Sequence, residues 1–241
     1  MPRDLRQYRF PGPAQQYHHR ADGSFIDVFN LTDQPYKHIL MKKRICYLFV
    51  FNGYADWEAA YTVAHLNKYS DFMIRTFSID GQTITSMGDI RIEPDHSLEE
   101  VDPKKVDLLL LPGGEAWENE EHQEIALLVE AFLHANKTVA AICGATVLLG
   151  NHGFLDHVPH TSNDLAYLKD LAPDYRGDAH YVQEPCVSSD NLITANGAAA
   201  LELMVAIFKK FNVMEDSVTD AVYDLFRSAG MENRMFAETE A

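Results

Sequence analysis

Cysteine is scarce: Cys46, Cys143 and Cys186 are the three in 241 residues, and no two stand in a CxxC pair. An odd number without metal-type spacing argues against a disulfide framework and against a structural zinc site. No apolar run approaches the roughly 18 residues that span a bilayer, so no membrane partner is expected. The first residues lack the apolar core of a secretion signal, and the expectation is a cytoplasmic protein with free thiols. Basic residues are also few, 20 against 36 acidic, for a formal net charge of −16. That balance disfavours nucleic acid as a partner. GxGxxG, P-loop and HExxH patterns are all missing, which leaves nucleotide cofactors and metals without support. No cofactor is expected.

The charge that is present is unevenly spread. Residues 1–43 carry seven Lys/Arg and four Asp/Glu, whereas the rest carries thirteen and thirty-two. The first stretch also holds Pro-Gly-Pro, a His pair and no sustained period, so 1–43 reads as an extension, flexible or loosely docked. Regular patterning begins at Arg44 and defines a domain over 44–230, with 231–241 as a tail. RICYLFVF (44–51) and VDLLLL (106–111) are near-continuous apolar runs of the kind that parallel sheets bury on both faces. DFMIRTFSI (71–79) and TVAAI (138–142) read the same way. Helical segments alternate with them: 57–69, the amphipathic 120–137, 164–171, 198–211 and 217–229. The stretch between Gly81 and Gly88 reads as a hairpin or irregular crossover, and short strands are expected near 181–187 and 192–194. Strands alternating with helices predict an α/β fold with a mostly parallel sheet. Sites in such sheets lie beyond the carboxyl ends of the strands. Three loops fall there: NGYADWE, PGGEAW and ICGA. The acid-rich EAWENEEHQE reads as a solvated helix start.

The stretch TVAAICGATVLLG (138–150) raises the functional question. A nucleophile elbow holds its reactive atom on a strained strand-to-helix turn, with small residues two before and two after. Here those residues are Ala141 and Ala145, and Gly144 follows Cys143 directly. Backbone N–H groups at the following helix would favour a thiolate, with a pKa of roughly 7 or below, and could hold an oxyanion. Gly113 and Gly114, at the end of the neighbouring strand, offer a second pair of donors. Glu58 falls in the first turn of the helix leaving the first strand, at the same sheet end. A carboxyl beside a thiolate has a raised pKa and can move a proton.

These residues resemble the ThiJ/PfpI family, within the class I glutamine amidotransferase-like superfamily. The resemblance runs from about Arg44 to Val213 and rests on Gly53–Glu58, LLLPGG, AAICGA, His160–Asn163 and LITANGAAALE. It implies a flavodoxin-like three-layer sandwich with a nucleophile-elbow cysteine, commonly a homodimer. By position, Cys143 resembles the family's reactive cysteine and Glu58 its protonated partner, with Gly114 and Gly144 as backbone donors flanking the sulfur. Two positions depart from the pattern. Gly144 stands where protease-like members often have His, and Asn163 stands where others have His in a Thr-Thr-His-like segment. Asn163 cannot be a base, but it can orient a substrate; His160 is a second candidate for that role. His180 and Glu184 do not match the late His-x-Glu pair of a glutaminase, so that activity is not expected.

The function expected is a reactive-cysteine enzyme of hydrolase type, acting on a small amide, peptide or carbonyl substrate with Glu58 as proton shuttle. One alternative is glyoxalase- or hydratase-type chemistry on the same pair. The other is a non-enzymatic sensor of oxidative stress. Cys46, mid-strand, reads as a buried hydrophobe, and Cys186 as a resolving thiol only if it approaches Cys143.

Overall fold

Extended apolar runs satisfy their backbone by pairing, and here the β-branched and leucine-rich runs pair with one another. In this computed structural model the described residues are 43–228 and the two short strands β1 (Tyr17–His19) and β2 (Phe25–Asp27). The rest of the 1–43 extension and the 231–241 tail lie outside the described residues. The chain divides into two units, His38–Asp216 and a second made of Met1–Lys37 with Ser217–Ala241. In the second unit β1 and β2 pair antiparallel, with His18 opposite Ile26.

The larger unit is built on a seven-stranded sheet. Its members are β3 (Arg44–Phe49), β4 (Phe72–Ser78), β7 (His96–Ser97), β8 (Leu108–Leu111), β9 (Thr138–Ile142), β10 (Cys186–Ser189) and β11 (Leu192–Ala195). Their order is β10-β11-β9-β8-β3-β4-β7, parallel except for the antiparallel edge pair β10/β11. A separate hairpin, β5 (Ile84–Thr85) and β6 (Arg91–Ile92), fills the Gly81–Gly88 region. Between the strands run α1 (Asp56–Tyr69), α2 (Glu115–Glu118), α3 (Ile125–His134), α4 (Ala145–Asn151), α5 (Leu165–Leu171) and α6 (Ala200–Phe211). The last helix, α7 (Asp216–Arg227), falls almost wholly in the other unit. This is the three-layer α/β sandwich expected, with α1 and α6 packed together on the sheet.

β8 and β9 are buried at every position, as strands covered on both faces must be. From β3 the chain passes to β4 on one side and later to β8 on the other, so strand order reverses at β3/β8. The carboxyl ends of β3, β8, β9 and β11 therefore open on one crevice, the place where such folds bind ligands.

Two element boundaries differ from the pattern. The amphipathic segment starts as helix at Ile125 and not at Glu120, because Glu120 and His122 take positive φ (58° and 59°) and turn the chain first. Consecutive carboxylates in a solvated stretch gain little from helix formation, whereas His122 packs edge-on against Phe49. The strand expected at 181–187 is displaced to Cys186–Ser189, since the Pro185 nitrogen has no hydrogen to give to a ladder.

Candidate active site

Cys143 follows directly on β9 and sits in the left-handed region, at φ 59°. A non-glycine residue rarely adopts that conformation, and it persists only where neighbours fix it from several sides. The Cys143 N–H donates to the Ala195 carbonyl (2.9 Å). Its carbonyl accepts from the Thr146 N–H (3.0 Å) and the Thr146 hydroxyl (2.6 Å), which also bonds the Ser162 hydroxyl (2.7 Å). Ala141 and Ala145 are completely buried on either side. The elbow expected from A-x-C-x-A is present.

Glu58 reaches the site because of helical spacing. It shares the buried stripe of α1 with Thr62 and Leu66, at i, i+4 and i+8, and is 1% exposed. One carboxyl oxygen, Oε2, accepts the Gly113 N–H at 2.5 Å. The other, Oε1, is buried without a nitrogen or oxygen partner. Gly113 is itself held by the Ala55 N–H on its carbonyl (3.0 Å) and by the Trp117 indole on the preceding Pro112 carbonyl (2.8 Å).

Two glycines press the sulfur and the carboxyl together. A Cβ on Gly113 would stand 2.6 Å from Cys143 Cβ and 2.8 Å from Glu58 Oε2. A Cβ on Gly197 would stand 2.8 Å from Cys143 Sγ and 3.3 Å from Glu58 Oε1. Gly197 is pinned at both ends: its N–H donates to Asn163 Oδ1 (2.9 Å), and its carbonyl accepts the Trp57 indole N–H (3.2 Å). With its oxygen so occupied, the Asn163 amide turns its Nδ2 to the Cys143 sulfur, 3.4 Å away.

Electrostatically the two acids behave as one site. Burial raises Glu58 from the ordinary 4.5 to about 7, against the opposing hydrogen bonds from Gly113 and Cys143. Burial, then the charge of Glu58, pushes the Cys143 thiol up to about 11, against hydrogen bonds from Asn163 and the Gly144 N–H. Desolvation thus works against the helix-start donors expected to lower the thiol pKa. What titrates near neutrality is the pair, which loses one proton around 7 and holds the second tightly.

Of the residues singled out in the sequence, Cys143, Glu58, Gly113, Gly144 and Asn163 converge here. Gly114 adjoins them, its carbonyl packed on Gly144. Gly113 requires a correction: its N–H is committed to Glu58, so it is not an available oxyanion donor. His160 requires another. It is fully buried, with Nδ1 on the Val158 carbonyl and Nε2 on the Tyr175 hydroxyl, both at 2.7 Å, so neither ring nitrogen is left to orient a substrate. Cys186 lies opposite Ala195, which lies opposite Ile142, so it is two strands removed from the elbow. At about 4.8 Å per strand that is beyond disulfide reach without backbone movement. Cys46 is fully buried, as expected.

Four neighbours of the site carried no role in the sequence: Gly197, Trp57, Tyr167 and Glu118. An Asn-Gly turn after β11 is the one signal that points to Gly197. Among the described residues no group of His, Cys, Asp and Glu has the arrangement of a metal site. No helix among them is long and apolar enough to cross a membrane. A cavity of about 550 Å³ near the amino ends of β9 and β11 is lined by Leu133, Phe154, Asp190 and Lys210 among others, with no cysteine.

Residues 43–210 match the family model of the DJ-1/PfpI family. Among curated proteins the chain is similar to the "Uncharacterized protease YoaZ" of Bacillus subtilis (strain 168), 40% identical over 192 residues, 77% of this chain and 91% of that one. Among solved structures it is similar to a thiJ/pfpI family protein from Bacillus anthracis, with TM-score 0.75 and 38% identity, covering 81% of this chain and 96% of that one. A DJ-1 superfamily protein, Atu0886 from Agrobacterium tumefaciens, superposes with TM-score 0.72 at 34% identity, covering 77% and 98%. The four loops that build the Cys143 crevice all lie within the matched residues. The chain belongs to the DJ-1/PfpI family.

Proposed function

We propose that this protein is a cysteine-dependent enzyme of hydrolase type, using Cys143 as nucleophile and Glu58 as proton shuttle on a small amide, peptide or related carbonyl substrate. The observation that carries this reading is the buried Glu58 carboxyl, titrating near 7 beside the elbow sulfur. A group poised there can give and take a proton at neutral pH. The thiol gives its proton to the Glu58 carboxylate as the sulfur attacks the carbonyl carbon, and the oxyanion is held by the N–H groups of Gly114 and Gly144. Glu58 protonates the leaving nitrogen as the C–N bond breaks, leaving a thioester on Cys143. Water, losing its proton to the Glu58 carboxylate, releases the acid, and Glu58 passes that proton to the departing sulfur, which restores the thiol and the carboxylate.

A second reading is favoured by the engagement of both His160 nitrogens. Without a histidine base, addition of the sulfur to an aldehyde or isocyanide and proton transfer through Glu58 alone describe a glyoxalase- or hydratase-type reaction. The sensor reading needs only the donors around the sulfur. Three free cysteines fit a cytoplasmic setting, and the family resemblance favours a homodimer working without a cofactor.

A substrate panel separates these readings. Chromogenic amides and peptides, methylglyoxal and isocyanides are offered to the wild type and to Cys143→Ala. Turnover of the amides that disappears in Cys143→Ala is expected. Turnover of methylglyoxal or isocyanides alone moves the assignment to the second reading, and none at all leaves the sensor.

A further inference from the structure

Asn163 does more than touch the sulfur: it begins a polar rim on one side of the crevice. The next residue, Asp164, caps α5 by accepting the Tyr167 N–H at 2.8 Å. The Tyr167 hydroxyl donates to Glu118 Oε1 at 2.7 Å. Glu118 ends α2, four residues beyond Gly114, so the Tyr167–Glu118 bond joins the two loops that flank Cys143. A phenol has one proton, and here it is given to Glu118. The oxygen has no second proton to give; one lone pair accepts from the Asn163 amide and the other is left to accept. Glu118 is exposed, and among the described residues it pairs with no Lys, Arg or His. Burial, then the hydrogen bond to Glu118 and the charges of Glu118 and Cys143, oppose ionisation of Tyr167, against a hydrogen bond from the Asn163 amide. That same amide meets the Cys143 sulfur at 3.4 Å and so links the phenol to the site.

We propose that Tyr167 and Glu118 form a cation-accepting rim beside Cys143, selecting electrophiles that carry an ammonium or other N–H-rich cationic group near the reacting carbon and disfavouring anionic ones. The phenol oxygen accepts the N–H, and the carboxylate supplies the opposing charge. This deepens the hydrolase reading and rests on it in one respect, that Cys143 is the reacting atom. On that reading, amides and peptides with a free amine next to the scissile carbonyl are preferred over neutral or acidic ones.

Three methanethiosulfonates that differ in charge test the rim without any assumed substrate: aminoethyl (cationic), methyl (neutral) and sulfonatoethyl (anionic). In each case the Cys143 sulfur forms a mixed disulfide and methanesulfinate leaves with the electron pair of the broken S–S bond. Rates at Cys143 are read by peptide mass and divided by those of a free thiol. The normalised rates are expected to fall in the order cationic, neutral, anionic. Glu118→Gln, which keeps an acceptor for the Tyr167 hydroxyl, is expected to cut the cationic-to-neutral ratio about threefold, the scale of one unit charge acting across several ångströms of water. Tyr167→Phe is expected to lower the ratio as well. Glu130→Gln, one exposed charge removed from α3, is expected to leave it unchanged. A ratio near one in the wild type, or equal losses in Glu118→Gln and Glu130→Gln, overturns the rim. No modification of Cys143 by any of the three reagents overturns instead the reading of Cys143 as nucleophile.

Discussion

Glu58→Gln is expected to lower turnover at Cys143 by roughly 10²-fold or more, the usual scale for losing a general acid–base. Glutamine keeps an oxygen that accepts the Gly113 N–H and turns an NH₂ toward the sulfur. The donor geometry therefore survives while the transferable proton is gone. Glu58→Ala differs in kind. It orphans a buried N–H now bonded at 2.5 Å, at a cost of about 1–3 kcal/mol, and leaves the thiol without its partner. Steady-state rates with the substrate found by the panel distinguish the roles. If Glu58→Gln turns over within a few-fold of wild type, Glu58 is a hydrogen-bond donor only. A sensor would show that pattern in its rate of oxidation by peroxide, and an enzyme would not.

Gly197→Ala is expected to be nearly as damaging, although residue 197 carries no functional group. The added methyl would stand 2.8 Å from Sγ and 3.3 Å from Glu58 Oε1. Something must move. Asn163 and Trp57 hold the Gly197 backbone from both sides, so the displacement falls on the sulfur and the carboxyl. A shift of about 1 Å between reacting groups costs on the order of 10²-fold in rate. Overpacking itself costs about 1–3 kcal/mol, which a denaturant titration reads separately from kcat/KM. Activity within twofold of wild type would mean that the sulfur and carboxyl need not lie where the glycine now confines them.

The sheet was legible because parallel strands buried on both faces must be apolar throughout, and LLLL and TVAAI are. The elbow was legible because tight turns need small residues at fixed offsets, as at Ala141 and Ala145. Glu58 was legible from its place in the first turn of α1, after a buried strand. Other parts of the site leave no local mark. Tyr167 and Trp57 look like ordinary positions of amphipathic helices, and Glu118 looks like one more acid in a solvated run. Their roles come from bonds spanning 49 and 140 residues of chain, Tyr167 to Glu118 and Trp57 to Gly197. His160 misled for the opposite reason: its type suggests chemistry, while its partners Val158 and Tyr175 make it a core residue. Sequence likewise reveals the helix that follows Cys143 but not the burial that opposes its donors.

The rate of Cys143 alkylation as a function of pH, with Cys46 and Cys186 replaced, tests the central claim most directly. Below about 7 both Glu58 and Cys143 hold their protons and the sulfur is unreactive. As pH rises through about 7 the pair loses one proton, and the form with the charge on sulfur and the proton on Glu58 becomes available. The account predicts an inflection near pH 7 that moves upward, toward or beyond the free-thiol value of about 8.5, in Glu58→Gln. A wild-type profile flat through pH 7 and rising only near 11, unchanged in Glu58→Gln, would contradict it: Cys143 would then be a buried thiol that Glu58 does not activate.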